Sequence, residues 1–253
     1  MNFNPTFREM MQIAKNHYDV FGAWHTAKSA LAYLLEESSI QDTFDQRHGV
    51  STRGLVEPHE AGIADPSQLA NAIRYAPIRE EVLDHILRAL LSERDPGQTT
   101  FVDLGCGKGR GVLIASRYSF ARIVGVELSE SLAQCARENV QAYLAQDKPR
   151  SPLRCAEIEI ACCSAPDFVY PDSDLLVYMY RPFTGRVFSD TLESLAAFAR
   201  ARGRRVAIAL CCPNEEFLIE RHGGFAKTRE HQVIIDQFSW VAYEAATAAQ
   251  DSD

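Results

Sequence analysis

A chain of 253 residues with 46% hydrophobic content is long enough for one large domain with appendages, or two small ones, around an ordinary core. Its formal net charge of −8 argues against non-specific nucleic-acid binding, which rests on phosphate neutralisation by Lys and Arg, and leaves room only for a local basic patch. The first twenty residues carry charges throughout, and no run approaches the eighteen or so apolar residues of a membrane span, so a soluble, cytoplasmic protein is expected.

Residues 5 to 37 place Phe7, Met10, Met11, Ala14, Ala27, Ala30, Leu31, Leu34 and Leu35 at helical spacing, with a break near Gly22. From Asp42 to Pro66 the pattern dissolves into Gly, Pro, Asp and Ser, which predicts a long loop carrying Phe44, Arg47, His48 and Arg53. Residues 1–66 are therefore read as a helical cap plus a lid loop, and 67–253 as the main domain. Helix is expected to resume near 65, capped by Asp65 or Ser67 and interrupted or restarted at Pro77.

Beyond Gly97 short apolar runs alternate with helical stretches. "TTFVDLG", "ARIVGVEL", "CAEIEIACC", "DLLVYMYRP" and "RRVAIALCC" read as strands, with helices over 108–118, 129–146 and 186–200. Ser129 is the expected cap of the second of these helices, with Glu130 in its first turn. Such alternation predicts an α/β, doubly wound, mostly parallel sheet covered on both faces. The tail, "FAKTREHQVIIDQFSWVAYEA", offers two further strand-like runs without a long helix between them, hence an antiparallel hairpin at one sheet edge and seven strands in all. The basic cluster 200–205 falls between a helix end and a strand start, where arginines suit the helix C-terminus and solvent. The seven cysteines form no C-x-x-C pair and read as structural thiols.

The strongest local signal is "FVDLGCGKGRGVLIAS", residues 101–116, with a strand ending in Asp103 followed by glycines at alternate positions. A P-loop requires Ser or Thr after its lysine, and Lys108 is followed by Gly109. A dinucleotide fingerprint started at Gly105 and Gly107 would put its third glycine on Arg110, and leaves Asp103 without a task. An acid beside a glycine turn suits a ligand with a free ammonium group, which a bare helix N-terminus disfavours. Gly105 and Gly107 allow the sharp bend and close ligand approach. Glu127, at the carboxyl end of the next strand, is placed to accept hydrogen bonds from both hydroxyls of a ribose.

With these residues the chain resembles the class I S-adenosylmethionine-dependent methyltransferases over about residues 75–245, "VDLGCGKG" matching their first motif and "VGVELS" the segment with the ribose-binding acid. More narrowly, "VGVELSESLAQCAREN" and "LLVYMYRPF" are similar to a bacterial group of largely unassigned substrate, distantly like histone-lysine methyltransferases of the Dot1 type. The resemblance implies a Rossmann-like fold and S-adenosylmethionine as cofactor. Asp103, Gly105, Cys106 and Gly107 would surround its methionine end, Glu127 and Leu128 its ribose, and Ser164 and Ala165 its adenine. Ser164 stands where an acid is usual, with Asp167 three residues on. Strand four ends in Arg181-Pro182-Phe183 where the group reads Asn-Pro-Phe.

A guanidinium donates and cannot accept, so Arg181 suits a carboxylate or phosphate clamp on the acceptor or an outward ion pair. Transfer from a sulfonium needs positioning more than a strong base; base candidates are His48, His59 and Tyr180. Tyr75 is expected near the crevice, against the cofactor or as an ordinary core aromatic. The expected activity is methyl transfer to a small molecule, anionic on the clamp reading of Arg181, with no nucleic-acid or membrane partner. A protein side-chain methyltransferase and a non-catalytic S-adenosylmethionine-binding subunit are the alternatives, a dehydrogenase a weaker one. The oligomeric state is not readable.

Overall fold

The computed structural model describes residues 42–145, 153–155, 157–232 and 239–245. The expected N-terminal helices over 5–37 lie outside the described residues. By its internal contacts the chain divides into two units, Met1–Asp42 and Thr43–Asp253, and all that follows concerns the second.

Six consecutive buried residues, Thr99–Leu104, form strand β1 in the interior of the sheet. Around it lie β2 (Arg122–Glu127), β3 (Ile158–Cys162), β4 (Asp174–Tyr180), β5 (Val206–Cys211), β6 (Phe225–Gln232) and β7 (Ser239–Ala245), in the order β3-β2-β1-β4-β5-β7-β6. The first five are parallel, while β7 runs antiparallel to both β5 and β6. This is the seven-stranded, doubly wound sheet with the antiparallel terminal hairpin that the alternation predicted.

Strand periodicity sends alternate residues to opposite faces. Phe101, Ile123, Leu176, Tyr178, Ala207 and Trp240 pack on one face with helix α3 (Glu80–Leu91), α4 (Arg110–Ala115) and α5 (Glu130–Leu144). Val102, Leu104, Val124, Val177, Ile208 and Val241 pack on the other with α6 (Gly185–Arg202) and α7 (Glu216–His222). Full burial on both sides explains why the central strands read as continuous apolar runs rather than alternating ones. No helix among the described residues is long and apolar enough to cross a membrane.

Ser129 caps α5 as expected, its Oγ accepting from Leu132 N at 3.2 Å. Asp65 caps a single turn, α2 (Pro66–Leu69), and there the structure departs from the sequence reading. No helix follows until Glu80. Residues 70–79 are mostly extended, because Pro77 disfavours helical backbone at Ala76 and because tertiary pairing takes over. Tyr75 exchanges both backbone hydrogen bonds with Val56 (2.9 and 3.2 Å), and Ala72 bridges Phe183. The segment read as a loop from 42 to 66 also begins with a short helix, α1 (Phe44–His48). Helix α7 follows Pro213 and was not anticipated. The arginines of 200–205 are exposed, with Arg200 pairing Glu193 at 3.2 Å and Arg204 pairing Asp172 at 2.9 Å.

Candidate functional site

The site forms where β1, β2 and β4 end and the segment 56–78 crosses above them. These elements line a crevice that opens to solvent. Open parallel sheets bind ligands at this edge.

Asp103 points into the crevice at the end of β1, only 4% exposed. It fits because Gly111 of α4 has no side chain: a Cβ there would lie 2.3 Å from Asp103 Oδ2. No donor among the described residues bonds this carboxylate. Burial above all, and then the neighbouring Glu127, push its pKa up to about 8.

The turn after β1 hangs on β2 through Gly105 N and Cys106 N, which both donate to Val126 O, at 2.8 and 3.0 Å. Gly105 and Gly107 are both left-handed, φ 77° and 54°, and neither has room for a side chain. A Cβ on Gly105 would meet Pro182 Cβ at 2.3 Å, and one on Gly107 would meet the Tyr75 ring at 2.1 Å. Glu127 fixes the turn from the next strand, accepting from Gly107 N with Oε2 and from Ser129 N with Oε1, each at 2.9 Å. Burial raises its pKa, while the backbone donors at Ser129, Gly107 and Leu128 pull it back down. Each oxygen keeps further acceptor capacity.

Leu128, Leu132, Ile63 and Ala165 make an apolar slot beyond Glu127. At its edge Ser164 Oγ donates to Gln68 Oε1 at 3.4 Å. Ser129 Oγ donates to Ala61 O at 2.6 Å, tying the overlying segment to the start of α5.

The roof is anchored by one buried guanidinium. Arg110, the first residue of α4, is 2% exposed and donates to Thr52 Oγ1 (2.6 Å), Asp45 Oδ1 (3.2 Å) and Ile78 O (3.4 Å). Asp45 in turn accepts from Thr52 N at 2.7 Å and Arg53 N at 2.8 Å. Tyr75 Oη donates to Thr52 O at 2.6 Å, and Lys108 Nζ donates to Arg53 O at 2.8 Å. The segment expected as a lid loop is thus held on the glycine turn from both sides.

At the end of β4, Tyr180 and Arg181 both line the crevice. Arg181 has φ 45°, a left-handed backbone costly for a residue with a Cβ. Of the residues expected at the site, Tyr75, Asp103, Gly105, Cys106, Gly107, Glu127, Leu128, Ser164, Ala165, Tyr180 and Arg181 all line this crevice. His48 does not: it is buried on α1, its ring 4.6 Å from Phe44 and 5.5 Å from Tyr143. His59 is exposed and also outside the lining. Both depart from the crevice because the backbone between them, from Ser51 to Arg53, is bound down on Asn139 and Asp45. The lining residues that sequence reasoning missed, among them Gln68 and Arg74, are brought in by the bridges of 56 to 75 and of 72 to 183, for which no local signal exists.

The donor set fits a nucleoside with a cationic amino-acid tail. An unbonded buried carboxylate at Asp103 matches an ammonium, the spare acceptor capacity of Glu127 matches vicinal hydroxyls, and the apolar slot matches a planar base.

Residues 102–178 match the family model described as a methyltransferase domain. No curated protein matches the chain. Among solved structures, the chain is similar to magnesium protoporphyrin IX methyltransferase from Synechocystis PCC 6803 with bound S-adenosylmethionine: TM-score 0.50 and 16% identity, covering 66% of this chain and 79% of that one. It is also similar to TrmN from Thermus thermophilus, with TM-score 0.50 and 20% identity over 67% of this chain and 49% of that one. This chain thus spans about half the length of the latter. Residues 102–178 are thus similar in sequence to a methyltransferase domain, and the solved structures share the fold of the chain.

Proposed function

We propose that this protein transfers the methyl group of S-adenosylmethionine to a small molecule seated at the end of β4. The observation that carries this reading is the roof. The segment 56–78 covers the glycine turn, with Tyr75 against Gly107, and a crevice roofed in this way favours a compact acceptor over a polymer.

When bound, the cofactor supplies an activated methyl group on a sulfonium, whose departure needs no metal or acid from the protein. Asp103 holds the ammonium at the end of β1. Glu127 orients the ribose while keeping the Gly107 and Ser129 amides satisfied. Leu128, Leu132 and Ala165 exclude water from the base, and the Ser164–Gln68 pair offers polar groups at its edge. Tyr75 and the backbone it pins confine the approach of the acceptor, which is where positioning lowers the barrier. Tyr180 is the group at the acceptor end able to take or relay a proton; His48 and His59 lie outside the lining and have no part in this assignment.

The test is to incubate the purified chain with methyl-labelled S-adenosylmethionine and separate small-molecule, RNA and protein fractions of a cell extract. Label entering the small-molecule fraction, and lost with Asp103→Ala, supports the proposal. Label entering only RNA or protein overturns the acceptor class, and labelling by Asp103→Ala equal to wild type overturns the site.

A further inference from the structure

Gln68 is the one carboxamide among the described residues that line the crevice. It reaches from the roof to the end of β3, where its Oε1 accepts from Ser164 Oγ across 96 residues of chain, at 3.4 Å. Both side chains are half-buried, at the edge of the slot made by Ile63, Leu128, Leu132 and Ala165. The carboxylates in the lining stand elsewhere, Asp103 at the end of β1 and Glu127 on the amides of Gly107 and Ser129. Asp167, three residues beyond Ser164, is exposed and outside the lining.

The backbone that carries Gln68 is braced before any ligand arrives. Pro66 opens the turn α2, and Asp65 Oδ1 accepts from both Ser67 N and Ser67 Oγ, each at 2.7 Å. Asn71 closes it, with Nδ2 donating to Ser67 O at 2.7 Å and its own carbonyl accepting from Thr184 N at 2.8 Å. A side chain on such a turn loses less freedom on binding than one on a loose loop.

A carboxylate only accepts and a guanidinium only donates, whereas a carboxamide does both in one plane. Ser164 takes one of the two acceptor positions on Oε1, which leaves the other, together with the Nε2 hydrogens. Adenine shows the complementary edge, an exocyclic amine beside a ring nitrogen, and a carboxamide pairs with both at once. The apolar slot covers the faces of such a base, and Gln68 meets its edge.

We infer that Gln68 selects the nucleobase of the cofactor, accepting from the adenine amine through Oε1 and donating to the neighbouring ring nitrogen through Nε2, with Ser164 steadying the amide. The inference rests on the proposed use of S-adenosylmethionine and names the residue that distinguishes its base. Because Gln68 belongs to the roof, the bound base also ties the roof to the slot, and closure over the crevice follows cofactor binding.

The test titrates the full chain calorimetrically with S-adenosylhomocysteine and with its purine analogue lacking the 6-amino group. Wild type is expected to bind the analogue about tenfold or more weakly, the discrimination of a bidentate contact between amide and adenine. Gln68→Leu keeps the bulk and loses the amide; it should bind S-adenosylhomocysteine about tenfold more weakly and the analogue within about threefold of wild type, so that the preference nearly vanishes. Gln68→Ala repeats the comparison without adding apolar surface. Ser164→Ala should retain part of the preference. Amide exchange at Leu69, Ala70 and Asn71, whose N–H groups are bonded within the turn, should slow when S-adenosylhomocysteine binds and slow less with the analogue.

The same preference in wild type and Gln68→Leu overturns the inference and leaves Gln68 as a latch on Ser164, a role that would speed exchange at 69–71 in the ligand-free variant. Equal affinity of wild type for the two ligands overturns it as well. Failure of S-adenosylhomocysteine itself to bind wild type overturns instead the cofactor reading beneath it.

Discussion

The ring of Tyr75 occupies the space that a side chain at Gly107 would need, so close that a Cβ at 107 would lie 2.1 Å from Tyr75 Cδ2 and 2.2 Å from Cε2. Each is fixed by a partner of its own, Gly107 N donating to Glu127 and Tyr75 Oη to the Thr52 carbonyl. Cofactor turn and roof are thus one packed unit, and substitutions on either side report on the other.

Gly107→Ala should lose about 2–4 kcal/mol of stability, from the left-handed backbone together with the clash. Tyr75→Ala in the same background removes the clash and leaves the backbone term, so the double variant should lose less than the sum of the singles. Denaturant unfolding of the four proteins measures that difference. Simple additivity would mean that Tyr75 moves aside freely and that the roof is not fixed on the turn.

Asp103 links stability to pH. Its folded value of about 8 lies above the ordinary carboxylate range, because burial and then Glu127 oppose its charge. The favourable contribution is complete below about pH 4 and is lost as pH rises through about 8, since the unfolded chain ionises first. Asp103→Asn removes that loss. The ligand-free variant should match wild type near pH 4 and exceed it increasingly up to pH 8, by several degrees in Tm. It should also bind S-adenosylmethionine at least tenfold more weakly, having lost a charge-assisted contact. Wild-type affinity should rise between pH 6 and 8 as the carboxylate ionises, and the variant's should stay flat. Thermal denaturation and calorimetry across this range decide it; parallel pH profiles for the two proteins would remove Asp103 from the ammonium site.

How much of this could be read from the sequence follows from how local each feature is. Asp103, the glycine turn and Glu127 sit at the ends of two successive strands, so spacing alone brings them to one edge, and in-register pairing of Asp103 with Gly125 does the rest. The sheet itself was readable because strands buried on both faces leave unbroken apolar runs. The roof was not. Arg110 meets Thr52 and Asp45 across 58 and 65 residues of chain, and Ala72 meets Phe183 across more than a hundred. Helical spacing from 70 to 79 competed there with Pro77 and with pairing to distant backbone, and the distant pairing prevailed. His48 shows the same limit: a histidine within a polar stretch reads as a loop residue, yet α1 turns it into the core beside Tyr143.

Glu127→Ala should weaken S-adenosylmethionine binding about ten- to a hundredfold, the equivalent of about 1.5–3 kcal/mol for hydrogen bonds to a charged group. Glu127→Gln keeps one acceptor oxygen and should fall between that variant and wild type. Because Gly107 N and Ser129 N lose their acceptor in the alanine variant, its unfolding midpoint should drop as well. Calorimetric titration alongside an NAD control checks both the contact and the cofactor. Equal affinity of wild type and Glu127→Ala would separate Glu127 from the ribose and leave it as a brace for the turn.

The ion pair under the roof allows a sharper separation of binding from folding. Arg110 is buried against the Phe44 ring, 4.8 Å from its centroid, and pairs with Asp45 at 3.2 Å. Removing one member of a buried pair strands the other, at a cost of about 3–5 kcal/mol, whereas removing both together costs much less. Asp45→Ala should therefore be strongly destabilised, and Arg110→Met with Asp45→Ala should recover part of the loss. The recovered protein still lacks the bonds from Arg110 to Thr52 and Ile78 that hold the roof down. It should unfold cooperatively and yet bind S-adenosylhomocysteine more weakly than wild type, with faster amide exchange at residues 51–53. Recovery of both stability and affinity in the double variant would show that packing alone keeps the roof in place, and that the guanidinium serves only to satisfy Asp45.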